Sequence, residues 1–190
     1  MPDNYEYDAI VIGSGISGGW AAKELTEKGL KTIMLERGRN IEHIKDYVNA
    51  TKEPWDLPHR GNRTQQMIKD YPVLKRDYPL NEMVLDYWVK DKESPYTEEK
   101  RFDWYRGYHV GGRSIMWGRQ SYRLNKWDFE ANAKEGIAVD WPIRYDDVAP
   151  WYSYAEKFAG IQGNRDGLEV LPDGDFMPAM EFNCVEKEVK

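Results

Sequence analysis

The sequence predicts an α/β fold with a parallel sheet, and three observations carry that prediction. An apolar run, Ala9-Ile10-Val11-Ile12, leads directly into a glycine-rich turn. A helix-patterned stretch follows. A second apolar run, Thr32-Ile33-Met34-Leu35, then closes the unit at an acid, Glu36. Strand, crossover helix and strand in that order make a parallel βαβ unit.

Each piece has its own physical reason. The first run is β-branched at Ile10, Val11 and Ile12, as a buried strand requires. Gly13, Gly15 and Gly18 then form G-x-G-x-x-G. The first glycine permits the tight turn. The second lets backbone approach a pyrophosphate, and the third lets helix and strand pack closely. A helix starting near Ile16 directs its unpaired N–H groups and the positive end of its dipole at such a phosphate. Gly18, Ala22 and Leu25 share one helix face, small residues first, and Gly29 is the stop. Glu36 stands eighteen residues after Gly18, where a carboxylate accepts hydrogen bonds from both ribose hydroxyls of a bound dinucleotide. The expected architecture is therefore a Rossmann-like βαβ grip over residues 1–38.

Residues 39–106 break the pattern. They are polar and punctuated by Pro54, Pro58, Pro72, Pro79 and Pro95. The apolar stretch 83–89 is expected to be a strand. Residues 102–105 form a second apolar stretch, and 64–69 are expected to form helical turns. An insertion of this length directly after βαβ is unusual in a nicotinamide-binding domain, and it is expected to be a lid or a segment wrapping a large cofactor. Residues 107–162 hold a second glycine signature, VGGRSIMWG, and a helix. Gly111 and Gly112, with Ser114 and Gly118, make an N–H-rich turn suited to a phosphate or a flat ring, or to a close crossing of two chain segments. Pro150 is expected in the first turn of the helix that follows, with Asp146 and Asp147 capping it and Gly160 stopping it. Trp151, Ala155 and Phe158 are its expected buried stripe. Residues 163–190 read as a polar, loop-like tail.

Bulk properties narrow the function. With a formal net charge of −6 and no basic block, nucleic-acid binding is not expected. The single cysteine, Cys184, excludes an internal disulfide and is expected to be a buried thiol. His43, His59 and His109 lack ligand spacing, so no metal site is expected. No apolar run reaches the length of a transmembrane segment. The acidic N-terminus carries no leader pattern, so cytoplasmic residence is the default expectation, with periplasmic residence by co-export with a partner the alternative. Eight tryptophans and 13 tyrosines are compatible with a carbohydrate ligand, but such residues more often fill cores and interfaces.

The motifs together resemble the glucose–methanol–choline (GMC) family of FAD-dependent oxidoreductases. GSGISG with Glu36-Arg37-Gly38 looks like the family's FAD-binding opening. VGGRSIMWG looks like its second glycine signature, and WPIRYDDVAPWYSYAEKF is similar to the stretch that follows it. The closest look is to the branch acting on sugars, which includes pyranose oxidases and the large subunits of gluconate- and glucoside-type dehydrogenases. The resemblance implies hydride transfer from a CH–OH carbon of a sugar or other alcohol to flavin N5, with electrons passing to a non-oxygen acceptor such as a cytochrome. A small subunit is the other implied partner. It also implies that Gly13, Ser14, Gly15, Ile16, Ser17 and Gly18 line the pyrophosphate and that Glu36, Arg37 and Gly38 meet the adenosine. Gly111, Gly112, Ser114, Trp117 and Gly118 would approach the flavin. Flavinylated members carry a histidine where Met116 stands here, so the FAD is expected to be noncovalent. The family's catalytic base lies near the end of a much longer chain. No catalytic residue is therefore assigned, and the 190 residues are expected to be an N-terminal portion with an incomplete sheet. Two other readings remain: an NAD(P)-dependent dehydrogenase using the same grip, and a non-catalytic nucleotide-binding fragment.

Overall fold

The computed structural model describes residues 6–76 and 80–190. Pro79, and the first five residues of the N-terminal leader reading, lie outside the described residues. The chain divides into two compact units, Met1–Gly118 and Arg119–Lys190, so the division falls within the expected 107–162 segment.

The first unit opens with the βαβ grip. Strand β1 (Ala9–Ile12) pairs in parallel with β2 (Thr32–Leu35), Ala9 opposite Thr32 and Ile12 opposite Leu35. Helix α1 (Ile16–Glu27) connects them. Its end is a Schellman motif: Gly29 is left-handed at φ +84°, its N–H bonds the Thr26 carbonyl, and the Leu30 N–H bonds the Leu25 carbonyl. Val11 is buried under α1, whereas Ile10 and Ile12, on the opposite face, are 65 % and 85 % exposed. A parallel sheet buries both faces, so only one layer of cover is present in this unit.

The insertion is irregular, as expected, but its apolar stretches are not strands. Residues 83–89 contain a single 3-10 turn, Leu85–Tyr87, and 102–105 have no regular structure. The hydrophobicity there serves a small core of its own, Tyr71, Leu74 and Leu80, with Leu85, Trp88 and Tyr105 packed around it. The expected helical turns are present as α2 (Gln65–Asp70), whose N-cap Thr64 accepts the Met67 N–H. Buried Arg106 organises the insertion's end: it pairs with Asp91 at 3.0 Å, and its carbonyl accepts the Val89 N–H. The chain then returns to the grip. Arg39 and His109 form a parallel bridge, and the Val110 N–H donates to the Arg39 carbonyl at 2.9 Å.

In the second unit, α3 (Lys126–Glu135) begins in a capping box in which Asn125 and Asp128 each accept the other's N–H. Helix α4 (Tyr145–Ala159) begins where Asp147 accepts the Arg144 N–H, and ends at left-handed Gly160. Two expectations fail here. Pro150 lies inside α4 rather than in its first turn, so the helix has already started five residues earlier. The Trp151, Ala155 and Phe158 stripe is not buried: Trp151 is 66 % and Phe158 62 % exposed. The inward face instead carries Glu156, held by Arg123 through two bonds of 2.8 and 2.7 Å. The tail is less loop-like than expected. Strands β3 (Gln162–Gly163) and β4 (Met177–Pro178) pair in parallel, and α5 (Cys184–Val189) is capped by Asn183. Cys184 is exposed, not buried, because it occupies the first turn of this surface helix. Among the described residues, no helix is long and apolar enough to cross a membrane.

Candidate functional site

The site is built where the two glycine turns meet. In the first turn, Gly13 is left-handed at φ +91°, and a Cβ on Gly18 would stand 1.9 Å from the Gly13 carbonyl oxygen. Both glycines are demanded by the chain itself. Gly15 is different: a Cβ there meets no protein atom within 4 Å, so it borders open space. Gly15 is also the N-cap of α1, and no side chain caps that helix. The N–H groups of its first turn are left for another acceptor.

The second turn packs directly on the first. Gly111 and Gly112 are both left-handed, and a Cβ on Gly112 would stand 3.0 Å from the Gly15 Cα. The turn continues as a 3-10 helix, Gly112–Ile115, in which the Ser114 hydroxyl donates to the Gly111 carbonyl. The two sequence alternatives, a ligand-facing turn and a crossing of segments, are thus not exclusive: Gly112 is required by the crossing that brings the turn to the grip.

Glu36 occupies the expected position at the end of β2, but its carboxylate is already engaged. Oε2 accepts from the Ser14 N–H at 2.8 Å and the Ser14 hydroxyl at 2.7 Å, and Oε1 accepts from the Gly38 N–H at 2.8 Å. These donors hold its pKa down at about 2, the Ser14 hydroxyl contributing most. Gly38 has a structural reason of its own, since a Cβ would stand 2.2 Å from the His109 nitrogen. Arg37 stacks on Tyr108, its guanidinium 3.8 Å from the ring centroid. His109 is 2 % exposed, and burial lowers its pKa, so the imidazole is neutral at pH 7. It is a packing residue of the crossing.

Beside the two turns lies a cavity of about 330 Å³ lined by Ile16, Trp88, Arg113, Ser114, Met116 and Trp117. Its size falls in the range of small-molecule and cofactor sites. Ile16, Ser114 and Trp117 were expected at such a site; Trp88 and Arg113 were not. Trp88 arrives from the middle of the insertion, and no local signal marks it. Arg113 lies within the second glycine signature, where it reads as one more polar residue. Gly118, at the end of the unit, meets no protein atom within 4 Å and does not line this cavity.

Comparison with known proteins gives the same picture at the level of the family. Paromamine 6'-oxidase from Streptomyces fradiae is 26 % identical over 168 residues, covering 87 % of this chain and 25 % of the relative. Fructose dehydrogenase large subunit from Gluconobacter japonicus is 27 % identical over 166 residues, covering 87 % of this chain and 29 % of the relative. Oxygen-dependent choline dehydrogenase from Xanthomonas euvesicatoria pv. vesicatoria is 28 % identical over 152 residues, covering 80 % and 23 %. These relatives are oxidoreductases of one family. The chain is similar to members of the glucose–methanol–choline family. No family model matches it, and it spans about a quarter of the length of the curated relatives it matches. The expected α/β architecture is present, and the names of these relatives are those of dehydrogenases and oxidases.

Proposed function

We propose that this chain forms the FAD-binding part of an oxidoreductase acting on a CH–OH group of a sugar or other alcohol. The observation that carries the reading is the meeting of the two glycine turns at Gly15 and Gly112, beside a cavity flanked by two tryptophans. The residues present fit the cofactor. Gly15 borders space that a side chain would fill, and the uncapped start of α1 offers N–H donors to a diphosphate.

FAD bound there supplies the hydride acceptor for the alcohol carbon. The chain's own residues bind and orient it. The N–H groups of Ile16, Ser17 and Gly18 hold the pyrophosphate. Glu36 is already engaged by protein donors from Ser14 and Gly38, which orient its carboxylate at the ribose side of the site. Trp88 and Trp117 bound the cavity for a flat ring, and Arg113 brings a positive charge to its wall. The Met116 thioether, also in that wall, offers no nucleophile for a flavin linkage, so the FAD is noncovalent. Paromamine 6'-oxidase and fructose dehydrogenase large subunit, by their names, favour a sugar-like alcohol. The second of these names also favours a small-subunit partner, and a carrier such as a cytochrome is the electron acceptor that the family resemblance implies.

The test is the cofactor content of the full-length protein. It is expected to purify with a flavin spectrum and to release all of its flavin into solution on acid precipitation. Gly15→Val is expected to purify without flavin, because its side chain enters the pyrophosphate space. A colourless wild-type protein that ignores added FAD ends the reading, and binding of NAD(H) in its place establishes the nicotinamide alternative.

A further inference from the structure

Ser14 occupies the variable position of the first glycine turn, where sequence places it only as one more residue beside the pyrophosphate. Its hydroxyl does something more specific. It donates to Glu36 Oε2 at 2.7 Å and at the same time accepts the Gly111 N–H at 3.0 Å. The hydroxyl thus both donates and accepts, and it joins three segments far apart in the chain: the first turn, the end of β2 and the second turn.

We propose that Ser14 is a positioning residue, a clasp that locks the second glycine turn onto the first so that the two halves of the cofactor site are assembled before the cofactor binds. The surrounding geometry supports this role. The backbone bridge between Arg39 and His109 holds the second segment only up to Val110. Beyond that point, Gly111 is left-handed and the turn rests on Gly15 through bare backbone, with no side chain on either glycine to interlock. Among the hydrogen bonds described, the Ser14 hydroxyl is the polar tie between the two turns. Glycine-rich segments lose the most conformational freedom on ordering. A tie that orders Gly111 in the free protein removes that cost from binding. Glu36 completes the arrangement: its carboxylate fixes the hydroxyl rotor, so the serine lone pair faces Gly111.

The binding consequence rests on the flavin reading above; the clasp itself does not. Two measurements on the full-length protein keep them apart. In the cofactor-free protein, Ser14→Ala is expected to speed amide exchange at Gly111 and Gly112 by at least tenfold while leaving β1 and β2 amides unchanged. In titrations with FAD, followed by quenching of flavin fluorescence, Ser14→Ala is expected to raise the Kd about tenfold. Ser14→Thr, which keeps the hydroxyl, is expected to restore both values to within about threefold of wild type, on the same reasoning. Unchanged Gly111 exchange in the alanine variant, or a threonine variant as impaired as alanine, overturns the clasp. If the wild-type protein binds no FAD, the flavin reading fails while the exchange measurement still decides the clasp.

Discussion

At the scale of the residue, Glu36 shows how one side chain answers two demands. Sequence spacing marks it as a ribose ligand, and the structure shows it binding the turn to the strand end through Ser14 and Gly38. That difference has a pH signature. Its folded pKa of about 2 lies below the ordinary 4.5, so the ionised carboxylate favours the native state. The contribution is complete above the ordinary value and is lost as pH falls through the folded one. Glu36→Gln is therefore expected to flatten the dependence of stability on pH between 4.5 and 2, read as the difference from wild type in urea unfolding at several pH values. An identical slope for the two proteins would mean that the carboxylate is not held as described. The three histidines show the limit of reading single residues. Only burial, not sequence, separates His109, enclosed at the crossing, from His59, which lies near the surface against Glu82.

At the scale of the element, local chemistry was legible wherever it is self-contained. The ends of α1 and α4 follow from Gly29 and Gly160, because such caps involve neighbours in sequence. The sequence signals place the start of α4 several residues late, since Pro150 marks the helix interior and not its first turn. The direction in which α4 turns its faces was not legible. Periodicity marks Trp151, Ala155 and Phe158 as the buried side, yet the inward side is set by Glu156, which bonds Arg123 and the Asp175 N–H. A charge read alone looks like solvent surface; only its distant partner reveals that it is inside. Breaking one half of such a buried pair is costly. Glu156→Ala is expected to lower the local opening free energy of α4 by about 3–5 kcal/mol, measured by native-state amide exchange along 148–158. The double replacement Arg123→Met with Glu156→Leu is expected to recover most of that loss, because it leaves no buried charge unpaired. The stretch 83–89 misled for a related reason: it packs as an irregular wall on Tyr71, Leu74 and Leu80, and an apolar run carries no label for strand as opposed to packed loop.

At the scale of the whole molecule, the uncovered face of the β1–β2 sheet is the main feature. Ile10, Ile12 and Leu35 are exposed, whereas a parallel sheet of this class is covered on both sides. A polypeptide of residues 1–190 is accordingly expected to bind a hydrophobic dye such as ANS strongly and to self-associate with rising concentration. Weak dye binding by the short polypeptide would show that this face finds cover within the chain itself.

The sequence by itself determined the βαβ grip, its parallel strand direction and the identity of both glycine turns. These depend on short-range sterics: a positive φ that favours glycine, a Cβ that would strike Gly13, and an apolar run that must leave water. Only the tertiary structure decided that the two turns touch, that Ser14 and Glu36 join them, and that Trp88 and Arg113 share a cavity with Ile16. Those contacts join residues up to about a hundred positions apart. Which of many distant polar groups meets a given hydroxyl is fixed by how the intervening insertion folds, and no local pattern encodes that return path.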